Sequence, residues 1–151
     1  MAAFRFRLAA VLRYRQRLSE EKQEQLQALE RAQEQVGTEM RKQEQLIIQQ
    51  ATDMEEQRGK VVSPLDLRLQ GDFSQHITRR IRELSHLLAT VQKRIEDQRA
   101  EVAQADREVK SLEQLRTRLW ERHQQEEKRE EQKVIDEIGR RQYYGKQHTN
   151  R

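Results

Sequence analysis

Residues 77–123 place an apolar side chain alternately every four and three positions, and that spacing restricts the chain to one class of fold. One series of sevens runs Ile77, Leu84, Val91, Gln98, Ala105, Leu112, Leu119. The other runs Ile81, Leu88, Ile95, Val102, Val109, then Arg116 and His123. This is the a/d repeat of a left-handed coiled coil. The seam is narrow: it can cover a second helix but cannot enclose a substrate. The expected role is mechanical or adhesive, not enzymatic.

Composition agrees. Charged residues make up 37% of the 151-residue chain and apolar ones 34%, too little apolar material for a conventional globular core. High charge also accompanies disorder, but a disordered segment has no reason to hold period 3.5 over about six heptads. Cysteine is absent, which excludes disulfides and thiolate metal sites. No apolar run approaches the ~20 residues that span a bilayer, and the arginine-bearing N-terminus lacks the apolar core of a secretory signal. The expected compartment is the cytosol.

The first half is helical in pattern but less clean. Three series of sevens lie side by side: Leu8, Arg15, Lys22, Leu29, Val36; Val11, Leu18, Gln25, Ala32, Glu39, Leu46; and Leu12, Ser19, Leu26, Gln33, Met40, Ile47, Met54. Gly37 is isolated, and a long helix absorbs its cost of roughly 1 kcal/mol. The break falls at Gly59–Pro64. Gly59 suits a helix C-terminus, Ser63 an N-cap, Pro64 the first helical position, and Asp66 completes a weak capping box. The reading is all-α: an antiparallel two-helix coiled-coil hairpin in one domain, residues 1–151. Helix 1 covers about 4–58, the loop about 59–63, helix 2 about 64–138 with a possible kink at Gly71 and a stop at Gly139, and a basic tail 139–151. Pairing residues whose numbers add to about 124 sets Met40 on Leu84, Ile47 on Ile77, Val36 on Leu88, Leu29 on Ile95 and Leu12 on Leu112. That pairing is centred in the loop, and it leaves helix 2 overhanging beyond about residue 122. The hairpin is expected to be a monomer on its own.

No catalytic or cofactor constellation emerges. Gly59-Lys60 ends like a phosphate loop, but Met54 stands where the first glycine belongs and Val61 where magnesium needs a hydroxyl. His76, His86, His123 and His148 have no ligand spacing, so no metal is expected. His123 ends a seam stripe. The Glu126-Glu127 and Glu130-Glu131 clusters, alternating with Lys128-Arg129, read as i,i+4 support for a solvated helix.

The ends are basic. Arg5, Arg7, Arg13, Arg15 and Arg17 face no acid within residues 1–18, and Arg140, Arg141, Lys146 and Arg151 none within 139–151. Two compatible readings stand for the N-terminal cluster of Phe4, Leu8, Val11, Leu12 and Leu18: a helix end packed on helix 2, or a basic tip that docks on an acidic protein surface or on lipid headgroups. Trp120 either covers Phe4 or serves as a contact anchor. Nucleic acid is not an expected partner, since net charge is only +4 and no recognition-helix pattern or aromatic interleaving is present.

Phe4-Arg5-Phe6-Arg7-Leu8 followed by Val11-Leu12-Arg13-Tyr14-Arg15, the glycine-to-proline break ahead of Leu65 and Phe73, and Glu131-Gln132-Lys133-Val134-Ile135-Asp136-Glu137-Ile138 together resemble the flagellar export protein FliJ family. The resemblance spans essentially the whole chain. It implies a soluble antiparallel coiled coil of the flagellar type III export apparatus, similar to the central stalk of rotary ATPases. The end bearing both termini enters the export ATPase hexamer, and the protein also contacts the membrane export gate and escorts export chaperones. On this chain the ring contact falls to Phe4, Arg7, Arg13, Arg15, Arg17 and Trp120, and the gate contact to Ile48, Leu69 and Phe73. The resemblance brings no catalytic residue and no cofactor. Membrane association is then peripheral, through protein partners at the cytoplasmic face of the inner membrane. Three alternatives remain open: the equivalent stalk of a virulence secretion system, a purely structural coiled coil, and a peripheral membrane helix over residues 4–18.

Overall fold

A computed structural model describes residues 3–149, with side chains as far as residue 146. The side chain of His148 and the tail residue Arg151 lie outside the described residues. Two helices make up the fold: α1 (Ala9–Glu56) and α2 (Pro64–Thr149), with no strand among the described residues. They pack against each other as an antiparallel hairpin.

The loop chemistry follows from its residues. Gly59 takes φ +84°, a left-handed conformation that disfavours any side chain, and so turns the chain out of α1. Ser63 Oγ accepts a hydrogen bond from the Asp66 amide at 3.1 Å, satisfying a donor that the first turn of α2 leaves over. Pro64 occupies the first helical position, where it has no amide to lose.

The helices meet in the register the heptads require. Ser74 and Gln50 bond at the expected sum, while Ser19–Asp106 and Lys22–Glu101 fall one residue to either side of it. Contacts divide the chain into two units. One comprises Glu20–Gln104; the other joins Met1–Ser19 with Ala105–Arg151. In the first, Ile77, Leu84, Val91 and Ile95 are buried against partly covered Leu26, Leu29, Val36, Met40 and Ile47. In the second, Leu12, Ser19 and Ala105 are buried. A two-helix seam covers each helix on one stripe only, so most a/d residues keep part of their surface in water.

Both helix limits differ from the sequence-based expectation. α1 begins at Ala9, not near residue 4. Over residues 3–7 exposure alternates: Phe4 and Phe6 are partly covered, whereas Ala3, Arg5 and Arg7 are exposed. Residues 3–6 are not helical and Arg7-Leu8 form a turn into α1, and the period-two Phe-Arg-Phe-Arg pattern leaves the phenylalanines partly covered and the arginines in water. At the other end, α2 does not stop near residue 138 but continues through Gly139 to Thr149. Gly139 keeps an ordinary helical backbone, since Gly59 alone among the described glycines has positive φ. The Arg141–Glu137 pair at 2.6 Å supports the helix across it. From Lys128 to Lys146 every residue of α2 is exposed.

Candidate partner-docking surfaces

The first surface lies in the unit that holds both chain ends. The Phe4 ring meets the His123 imidazole edge to face, with centroids 5.7 Å apart and planes at 78°. His123 Nδ1 in turn stands 3.7 Å from a Glu127 carboxylate oxygen. The N-terminal segment and α2 border a groove of about 560 Å³, with Phe4 to Leu8 on one side and Leu119, Arg122, His123 and Glu126 on the other. Its walls are apolar and aromatic. Its rim carries Arg5, Arg7 and Arg122 against a single acid, Glu126. A second depression of about 430 Å³ is bordered by Phe4, Glu113, Arg116, Thr117 and Trp120. Trp120 is 48% exposed, so it borders the same depression as Phe4 and still offers half its surface.

Of the arginines assigned to this surface, Arg7, Arg13 and Arg17 are exposed and form no ion pair among the described residues. Arg15 does not belong with them. Its Nη1 donates to Glu108 Oε2 at 2.5 Å, and its guanidinium lies 6.0 Å from the Tyr14 ring centroid. The position explains this: Arg15 is seven residues past Leu8 on a seam stripe, and it meets an acid across the hairpin instead of facing outward. Arg122 and His123 also border this groove. The signal in the sequence was the stripe itself, which ends at His123 where the helix 1 partner runs out.

The second surface lies at the loop end of the other unit. Here the seam turns polar. Gln50 Nε2 donates to the Gln70 carbonyl at 2.8 Å, Ser74 Oγ donates to Gln50 Oε1 at 2.6 Å, and Gln70 Nε2 donates to Gln57 Oε1 at 3.0 Å. Because amides and a hydroxyl occupy the seam, the nearby apolar side chains stand on its flank. Leu46, Met54, Leu69 and Phe73 are all exposed and border one groove of about 490 Å³. Leu69 and Phe73 are thus brought together as expected. Ile48 is not with them: it is 65% exposed and does not border this groove. One residue past the seam residue Ile47, it lies on the flank of α1 opposite Leu46, about 200° around the helix. Leu46 and Met54 were read as seam residues, and the structure makes them surface.

Among the described residues no group of three or more histidines and carboxylates is placed to hold a metal ion, and no helix is long and apolar enough to cross a membrane. A family model described as flagellar FliJ protein matches residues 4–148. The chain belongs to the flagellar FliJ family. The match takes in the Phe4–Leu8 segment, the loop and the α2 overhang, so both surfaces fall inside the family's span. No curated protein and no solved structure matches the chain.

Proposed function

We propose that the chain, as a member of the flagellar FliJ family, acts in the flagellar protein export apparatus as a stalk and adaptor. The unit with both chain ends docks in the export ATPase hexamer, the loop-end groove of Leu46, Met54, Leu69 and Phe73 contacts the membrane export gate, and export chaperones are further partners. It works at the cytoplasmic face of the inner membrane, held there by those proteins. The observation that carries the reading is the Phe4–Leu8 segment. It packs the Phe4 ring on His123 of α2 and rims the groove there with Arg5, Arg7 and Arg122. Clustered positive charge repels itself unless an acidic partner relieves it, so this end fits a protein surface of opposite sign. The flagellar match favours this setting over a virulence secretion system, and the polar seam and exposed overhang disfavour a purely structural coiled coil.

The test is stimulation of the export ATPase by the wild-type chain and by Arg7→Glu/Arg122→Glu, at low and moderate salt. The expected result is loss of stimulation in the variant and weaker stimulation by wild type as salt rises, with helical content unchanged. Equal stimulation by both proteins at both salt levels would remove the ring-docking assignment from this end.

A further inference from the structure

The α2 overhang carries a second a/d face that the hairpin leaves exposed beyond Glu127, whose carboxylate stands 3.7 Å from His123. Glu127, Glu131, Val134, Ile138, Arg141 and Gly145 follow one another at spacings of four and three. Val134 and Ile138 on it are 55% and 51% exposed, and Ile135 on its flank is 61% exposed. Along the helix this face reads acidic, aliphatic, basic, small. We propose that it is the interface for a second copy of this chain, paired antiparallel through the overhangs.

The charge order selects both partner and direction. Turned end for end about a two-fold axis near residue 136, the face is complementary to itself. Val134 then packs on Ile138 of the second copy, Glu131 meets Arg141 of the second copy, and Glu127 meets Gly145, where the missing side chain leaves room. Each layer occurs twice by symmetry, and the two Ile135 side chains cover the middle from one flank. On the other flank the two Glu137 carboxylates approach each other, but each is already bridged by its own Arg141 at 2.6 Å. A parallel pair would instead stack Glu131 on Glu131 and Arg141 on Arg141. With two aliphatic layers and a flanking isoleucine, the dimer is weak and depends on concentration. The inference rests on the overhang alone and does not require the export reading.

The experiment is sedimentation equilibrium of the full chain over a wide concentration range, with three variants. Wild type is expected to show monomer–dimer behaviour that weakens with salt. Val134→Asp/Ile138→Asp is expected to abolish the dimer while the melt of the hairpin is unchanged. Glu131→Arg and Arg141→Glu, each alone, set like charges together and are expected to raise the dissociation constant at least about tenfold. Mixed one to one they are expected to form a heterodimer, because the arginine introduced in one variant then faces the glutamate introduced in the other. A monomer at every concentration, a dimer indifferent to the two aspartates, or no recovery on mixing would overturn the proposal.

Discussion

Ser19 Oγ donates to Asp106 Oδ1 at 2.5 Å across the hairpin, with Ser19 only 6% exposed. Arg15–Glu108 pairs across the helices in the same unit, and Lys22–Glu101 does so in the other. At the polar seam positions Arg15, Ser19 and Lys22 of α1, α2 supplies Glu108, Asp106 and Glu101. Sliding the helices by one heptad either way would part Ser19 from Asp106 and set Asp106 against Leu12 or Leu26, so this pair favours the observed register. Ser19→Ala is expected to lower stability by about 1 kcal/mol in urea unfolding followed by circular dichroism. An unchanged midpoint would mean the contact adds nothing beyond solvation.

The arginines of the N-terminal segment separate by stripe. Arg15→Glu places two carboxylates together at Glu108 and is expected to reduce stability by about 1 kcal/mol, modest because both side chains are partly solvated. Arg13→Glu, on the exposed face, is expected to leave the midpoint within about 0.5 kcal/mol of wild type. Equal effects from the two would contradict the seam placement of Arg15.

Ile77 is the most covered large side chain, at 1% exposed. Ile77→Ala is expected to cost about 2–5 kcal/mol through lost burial and the cavity left behind. Glu130→Ala, on the overhang, removes only a solvent-exposed pair with Lys133 and is expected to leave the melt unchanged. A chain that tolerates the first as readily as the second does not pack along this stripe.

Two glycines are expected to respond with opposite sign to the same substitution. Gly59→Ala forces a side chain into φ +84° and is expected to lower the urea midpoint, by about 1 kcal/mol. Gly37 sits inside α1 with nothing within 4 Å of where a Cβ would lie. Gly37→Ala is therefore expected to raise stability by up to about 1 kcal/mol through helix propensity. Changes of the same sign would place the turn elsewhere.

The single tryptophan reports on the N-terminal segment. Phe4→Ala removes the ring that meets His123 and borders the depression beside Trp120. Trp120 emission is expected to shift to the red and become more open to acrylamide quenching. Helical circular dichroism should stay constant, because α1 begins only at Ala9. Unchanged quenching would mean the segment does not shield this end of α2.

Much of the fold was legible in the chain alone. Heptad spacing states a helix, its buried stripe and, by the centring of the register on the loop, its antiparallel partner. Gly59, Ser63 and Pro64 mark the break because each suits a local backbone geometry that few other residues meet. These are short-range rules, and they act whatever the rest of the chain does. What only the tertiary structure decided lies where local preferences were nearly balanced. Three apolar series competed on α1, and contact with α2 chose the two through Leu8 and Leu12, which turned Leu46 outward and Arg15 inward. Phe4-Arg5-Phe6-Arg7 could have been a further turn of helix; instead the segment stays non-helical and the Phe4 ring packs on His123 of α2. At Gly139 the loss of about 1 kcal/mol in propensity was too small to end a helix that its neighbours sustain. The docking grooves follow from these choices, since a groove forms only when two segments distant in sequence leave the same side chains uncovered.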